Sequence, residues 1–134
     1  MNLVLNSGLF EAMVKHFQAE LPREGCGILT GVENVATRFV PITNRLASTT
    51  AFDMEPAELI AALRSTRDTG ERLLAIGHSH PKGPASPSRR DIESAYYPEA
   101  AHIIVSLASV ENPVVRGFRI VDGEVIEIEL HVIV

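Results

Sequence analysis

The residues best suited to chemistry are His78 and His80, separated by one serine, followed by Pro81 and, after a loop, by Ser88-Arg89-Arg90-Asp91. The stretch before them, Leu73-Leu74-Ala75-Ile76-Gly77, is mostly apolar and reads as a strand. In a strand residues i and i+2 point to one side, so both imidazoles converge on one spot, as a shared metal requires. Two neutral imidazoles and a carboxylate suit zinc. Residues 81–87 are long enough to turn the chain and present a residue of a following helix beside the strand's end, and Asp91 is the first carboxylate there. Three protein ligands leave one position for water, whose pKa falls towards neutrality on a metal. The expectation is one catalytic zinc ion on His78, His80 and Asp91. Taken singly, these residues have a plainer reading: His-x-His is common, and Ser88 with Asp91 resembles a helix-starting capping box with Asp in place of Glu.

The elements that must position these residues follow from periodicity and turn chemistry. Ser7 is expected to cap a helix over residues 8–20, where Leu9, Phe10, Met13, Val14 and Phe17 recur at helical spacing before Pro22. Residues 26–31 and 35–40 read as strands joined by a turn at Val32-Glu33-Asn34, and a polar loop runs on to about Asp53. Asp53 is expected to cap a second helix over 55–68, with Leu59, Ile60 and Leu63 on one face and Gly70 beyond its end. The apolar strand 73–80 enters a Pro/Gly-rich loop, and a short helix starts from Ser88. Strands are expected over 102–108, 114–121 and 124–134, the last two joined by a tight Asp122-Gly123 turn, with a further short strand at Leu3 to Leu5. These segments predict an α+β fold: a mixed, mostly antiparallel sheet with about three helices packed on it. No repeat or linker interrupts residues 1–134, so a single domain is expected.

Bulk properties narrow the function further. Lys and Arg total 12 against 17 Asp and Glu, which leaves no electrostatic footprint for a polyanion, so nucleic acid is excluded as the main partner. No stretch is long and apolar enough for a bilayer span, and the first residues lack the basic start and apolar run of a signal peptide, so a cytoplasmic protein without membrane contact is expected. The single cysteine, Cys26, rules out an internal disulfide framework and a cysteine-cluster zinc finger, and reads as a small buried residue. The oligomeric state stays open, a homodimer included.

Other folds that use His-x-His differ in the residues C-terminal to it. Cupin-like barrels want a glutamate a few residues later, where this chain has Lys82-Gly83-Pro84-Ala85-Ser86. A metallo-β-lactamase-type site continues with an adjacent Asp-His pair, and an amidohydrolase barrel needs a far longer chain. The pattern instead resembles the JAMM, or MPN+, metalloprotease family: an upstream Glu, then His-x-His-Pro, then Ser, then Asp after a ten-residue spacer, here residues 81–90. Upstream, Pro22-Arg23-Glu24-Gly25-Cys26-Gly27-Ile28-Leu29-Thr30-Gly31 is similar to the family's acidic residue leading into a Cys-Gly strand. The likeness extends to the order of elements over nearly the whole chain and implies an MPN, cytidine-deaminase-like fold.

The resemblance implies that His78, His80 and Asp91 bind zinc, that Glu24 acts as general base and then general acid, and that Ser88 donates a hydrogen bond to the tetrahedral oxyanion. Spacing alone does not select Glu24 from Glu20, Glu33, Asp53 and Glu55. His16, His102 and His131 read as structural or exposed rather than as a fourth ligand. Arg89 and Arg90 are solvated or steer an acidic partner. The resemblance further implies a stand-alone prokaryotic member that hydrolyses the amide bond after the C-terminal Gly-Gly of a ubiquitin-like, sulfur-carrier type protein. Such a tail suits pairing with an open sheet edge, and the groove for it is expected along 42–53 or 82–87. The competing readings are a non-catalytic MPN-type scaffold module and a zinc peptidase acting on small peptides.

Overall fold

The computed structural model describes residues 2–134; Met1 lies outside the described residues. The chain opens with strand β1 (Asn2–Asn6) and helix α1 (Ser7–Glu20). Met13, Val14 and Phe17 of α1 are buried, as their spacing predicts. The N-cap is Asn6 rather than Ser7: its side chain accepts a hydrogen bond from the Leu9 N–H at 2.9 Å. Both residues are good caps, and the end of β1 decides between them by holding Asn6 extended.

The hairpin of β2 (Cys26–Val32) and β3 (Val35–Ile42) turns at Glu33-Asn34, with Glu33 in the left-handed region at φ 56°. Helix α2 (Pro56–Ser65) is shorter than expected and is capped by Glu55, which accepts from the Glu58 N–H; Asp53 is engaged instead with Arg45. Pro56 in the first turn fits a position whose N–H has no helical partner. Then follow β4 (Arg72–His80), the short α3 (Arg89–Glu93), β5 (Ala101–Ser106), β6 (Val114–Val121) and β7 (Glu124–Ile133). Asp122 and Gly123 both take positive φ between β6 and β7, as a tight hairpin demands.

The α+β class holds, and the sheet is mixed, but it is not open. Its strands run β1-β3-β2-β4-β5-β6-β7 and close into a barrel. The closing strand is β1, which pairs in parallel with β7 from Asn2↔Glu129 to Asn6↔Ile133 and meets β3 at Val4↔Val35. The pairs β2–β3, β2–β4, β5–β6 and β6–β7 are antiparallel, while β4–β5 is parallel. Closure was not part of the expectation, because β1 has no local partner: its long pairing lies at the opposite end of the chain.

Two cores form on the two faces of the central strands. Met13, Val14 and Phe17 of α1 pack with Leu3, Leu5, Leu29, Ala75, Ile103 and Val105. On the other face Cys26, Ile28, Ile42 and Ile76 pack with Met54 and Ala62, with Leu59 and Leu63 of α2 against them. Alternation along β4 therefore puts Gly77 and Ser79 towards α1, and Ile76, His78 and His80 on the α2 side. A side chain at Gly25 would meet the Phe17 ring at 2.7 Å, so the close seat of α1 requires glycine there.

Candidate metal centre

β4 brings His78 and His80 to the same side at its C-terminal end, and the loop after it carries Asp91 to them. Residues 81–88 are irregular yet anchored. Ala85 is buried against Ile104 and Phe118, the Ser106 hydroxyl donates to the Gly83 carbonyl at 2.6 Å, and His80 Nδ1–H donates to the Pro84 carbonyl at 2.7 Å. Ser88 then caps α3. Its Oγ accepts from the Asp91 N–H at 3.1 Å while Asp91 Oδ2 accepts from the Ser88 N–H at 2.9 Å, a complete capping box. The capping box expected of Ser88 and Asp91 is present, and it fixes the Asp91 carboxylate beside the two imidazoles.

Three donor atoms meet. His78 Nε2 lies 3.1 Å from His80 Nε2 and 3.2 Å from Asp91 Oδ2, and His80 Nε2 lies 3.0 Å from that oxygen. This is the one group of three or more such ligands found among the described residues. A tetrahedral zinc with bonds of ~2.0–2.1 Å separates its donor atoms by about 3.3–3.4 Å, so the set fits that ion with small adjustments. The Pro84 contact leaves the His80 Nε2 lone pair free for a metal.

Electrostatics favour the same use. Burial lowers the His78 pKa, which keeps that ring neutral. Burial would also lower His80, but hydrogen bonds to Asp91 and the Pro84 carbonyl outweigh it and raise its pKa. Burial opposes ionisation of Asp91, yet hydrogen bonds from both imidazoles hold it well below the usual carboxylate range. A divalent metal bound here would replace the imidazole protons that the Asp91 carboxylate accepts.

Glu24 lies just before β2 and is 5% exposed, with Oε1 buried and unpartnered. Burial, the largest influence, raises its pKa to about 7. Its backbone is held on both sides: its N–H donates to the Ser48 carbonyl at 2.8 Å, and its carbonyl accepts from Asn44 Nδ2 at 3.0 Å. Next to it, the Gly25 N–H donates to Ser79 Oγ at 2.8 Å, and the Ser79 N–H returns a bond to the Gly25 carbonyl at 3.0 Å. Glu24, His80 and Ser88 line one groove of about 620 Å³ with Leu21, Pro22, Thr49, Thr50, residues 81–84, Ser86 and Pro87. A larger cavity of about 850 Å³ lies over β6 and β7 and includes none of these residues.

The other carboxylates have structural duties: Glu20 pairs with Arg23, Asp53 with Arg45, Glu55 caps α2, and Glu33 is an exposed turn residue. His16 sits beside Glu20, His131 beside Glu129, and His102 is buried outside the triad. Arg89 is exposed and pairs with Glu93, whereas Arg90 lines a second cavity by Asp91. Cys26 is buried opposite His78 in the β2–β4 register, with its thiol donating to the Ile42 carbonyl and its pKa pushed up to about 12 by burial. It is an inert packing residue. Sequence reasoning missed Ser79, Asn44 and Phe52, whose ring stacks on His78 at 4.5 Å between centroids. The serine inside His-x-His was in view, but nothing in its spacing shows that it reaches back to Gly25.

Over residues 6–121 the chain matches a family described as prokaryotic homologs of the JAB domain. It is 35% identical over 133 residues to the CysO-cysteine peptidase of Mycobacterium tuberculosis, the match covering 98% of this chain and 91% of that protein. The solution structure of protein DSY2949 from Desulfitobacterium hafniense superposes with a TM-score of 0.89 at 34% identity, covering 98% of this chain and 92% of that one. AF2198, a JAB1/MPN domain protein from Archaeoglobus fulgidus, shares the fold at a TM-score of 0.64 and 21% identity, covering 96% and 99% of the two chains.

Proposed function

The chain belongs to the prokaryotic homologs of the JAB domain, and on that premise we propose that His78, His80 and Asp91 hold one zinc ion for cleaving the amide bond after a C-terminal Gly-Gly. The protein is a zinc metalloprotease, a hydrolase of peptide or isopeptide bonds. Its substrate is a conjugate of a ubiquitin-like, sulfur-carrier type protein, in keeping with a relative named as a peptidase for CysO-cysteine.

The observation that carries the reading is the placement of Glu24, with Oε1 buried and unpartnered, in one groove with the His80 imidazole and the Ser88 hydroxyl. When bound, zinc supplies Lewis acidity and lowers the pKa of water. Glu24, poised near neutrality by burial, takes the proton from the attacking water and hands it to the leaving amine. The Ser79 and Asn44 contacts to the backbone of residues 24–25 hold that carboxyl in place. Ser88 Oγ already accepts from the Asp91 N–H, so its own hydrogen remains to donate to the oxyanion of the tetrahedral intermediate.

Both segments expected to line the substrate groove contribute to it, Thr49 and Thr50 from one and Lys82, Gly83, Pro84, Ser86 and Pro87 from the other. The sheet closes between β1 and β3 through the single pair Val4↔Val35, and the groove beside the metal centre is the proposed seat of the tail. Glycines suit a passage between these walls because they carry no side chain to clash at the metal. No helix among the described residues is long and apolar enough to cross a membrane. The proposal places the enzyme in the cytoplasm as one catalytic domain, where Cys26 stays reduced.

The test is incubation with a Gly-Gly carrier bearing one further residue, read by mass spectrometry. Loss of that residue with zinc-loaded protein and not with Glu24→Ala supports the assignment. An intact carrier with every Gly-Gly substrate tried, or full activity in Glu24→Ala, sinks it.

A further inference from the structure

A metal-binding imidazole needs its second ring nitrogen fixed, because that hydrogen bond sets which nitrogen offers its lone pair. His80 meets this need through the Pro84 carbonyl. His78 does not: its Nδ1 is buried without a protein partner in a ring only 1% exposed. A buried N–H left unpaired is costly, so the fold is expected to supply His78 Nδ1–H with an acceptor.

A second unpaired nitrogen lies close by. His102 Nε2 is also buried without a partner, in a residue 6% exposed. β4 and β5 pair in parallel, with Ile76 opposite His102 and His78 opposite Ile104. By alternation His102 shares the face of Ile76 and His78, one diagonal step from His78, while Ile103 and Val105 point to the α1 core. Both imidazoles line one cavity of about 390 Å³, together with Phe52, Asp91 and Tyr97. Burial holds the His102 pKa down at about 4, so its ring is neutral and keeps one acceptor nitrogen. The partnerless donor and acceptor thus belong to two rings on the wall of one partly polar cavity, a setting in which one water joins two buried groups.

We propose that His102 is a positioning residue for the metal centre: through one water in this cavity it accepts the hydrogen bond of His78 Nδ1–H and so keeps His78 Nε2 directed at the metal. The inference rests on the zinc reading above. It concerns neither a fourth ligand nor a group that touches substrate.

Zinc affinity, measured by competition with a chromogenic chelator, separates the possibilities in wild type, His102→Gln and His102→Leu. Gln retains an acceptor and is expected to bind zinc within a few-fold of wild type. Leu is expected to weaken binding roughly 10–100-fold. The metal-free Leu variant is expected to melt no lower than wild type, since it fills a partly apolar cavity, and this excludes a merely structural loss. In zinc-loaded protein the His78 Nδ1–H proton should exchange slowly in wild type and the Gln variant and quickly in the Leu variant, as read by nitrogen-15 NMR. Unchanged affinity in His102→Leu, or a loss as large in Gln as in Leu, overturns the proposal. Should the Leu variant not fold, an unprotected His78 Nδ1–H in the wild type overturns it alone. Wild type that binds no zinc overturns the zinc reading as well, whereas wild type that binds it with His102→Leu unaffected overturns only this one.

Discussion

Replacing Glu24 by Gln is expected to change how the stability of the metal-free protein depends on pH. Burial raises the folded-state pKa of this carboxyl from 4.5 to about 7; Asp91 adds to the rise, while His80 and Arg90 oppose it. Below the unfolded value the group is protonated in both states and contributes no pH dependence. As pH climbs past it, the unfolded chain ionises first, so the folded state loses stability until the folded pKa is passed. At about 1.4 kcal/mol per unit, the full loss is about 3 kcal/mol. Gln is neutral throughout and escapes it. The unfolding free energy of Glu24→Gln minus that of wild type should therefore be flat in acid, grow by about 3 kcal/mol across the interval from 4.5 to about 7, and be flat again above. Urea unfolding at a series of pH values in the presence of a chelator measures both curves. Any constant cost of burying the amide cancels in the slope. Parallel curves would refute the claim that Glu24 is a desolvated, unpaired carboxyl, and with it the reason it can act as a base near neutrality.

Individual hydrogen bonds set three further expectations. Ser88→Ala removes both the α3 cap and the proposed oxyanion donor, so kcat should fall roughly 10²–10³-fold and stability by about 1 kcal/mol, while Ser88→Thr should restore most of both in kinetics and melting. Ser79→Ala leaves the Gly25 N–H buried without an acceptor. It should cost about 1–3 kcal/mol in denaturant unfolding and lower kcat more than it changes KM, because the neighbouring Glu24 is no longer held. Zinc affinity should fall as pH drops through the raised His80 pKa, about tenfold per unit, because that ring must give up its proton to the metal; a pH-independent affinity over the same range would contradict this.

Local signals carried much of the fold. The spacing of Met13, Val14 and Phe17 found α1, and Asp122-Gly123 found the last hairpin, because each is decided by residues a few positions apart. The helix caps were displaced by a residue or two, since Asn6 competes with Ser7, and Asp53 is taken up by Arg45. Barrel closure was invisible because the β1–β7 ladder joins the two ends of the chain, and no pattern within β1 announces its partner. The site divides along the same line. His78, His80 and Asp91 lie within one strand–loop–helix unit, so strand alternation and loop length bring them together without knowledge of the fold. Glu24 reaches them only because β2 lies beside β4, and family resemblance, not spacing, singled it out. Ser79 and Asn44 act through one hydroxyl and one amide on distant backbone, contacts that no sequence periodicity encodes.

The zinc assignment stands or falls on the metal content of purified protein, measured on the wild type and His80→Ala after the same exposure to zinc. The geometry of the three donors predicts one zinc ion per wild-type chain and a loss of both metal and peptidase activity in His80→Ala, with metal retained and turnover lost in Glu24→Ala. A wild-type chain that takes up no zinc, or a His80→Ala chain that holds it as tightly as wild type, would contradict it.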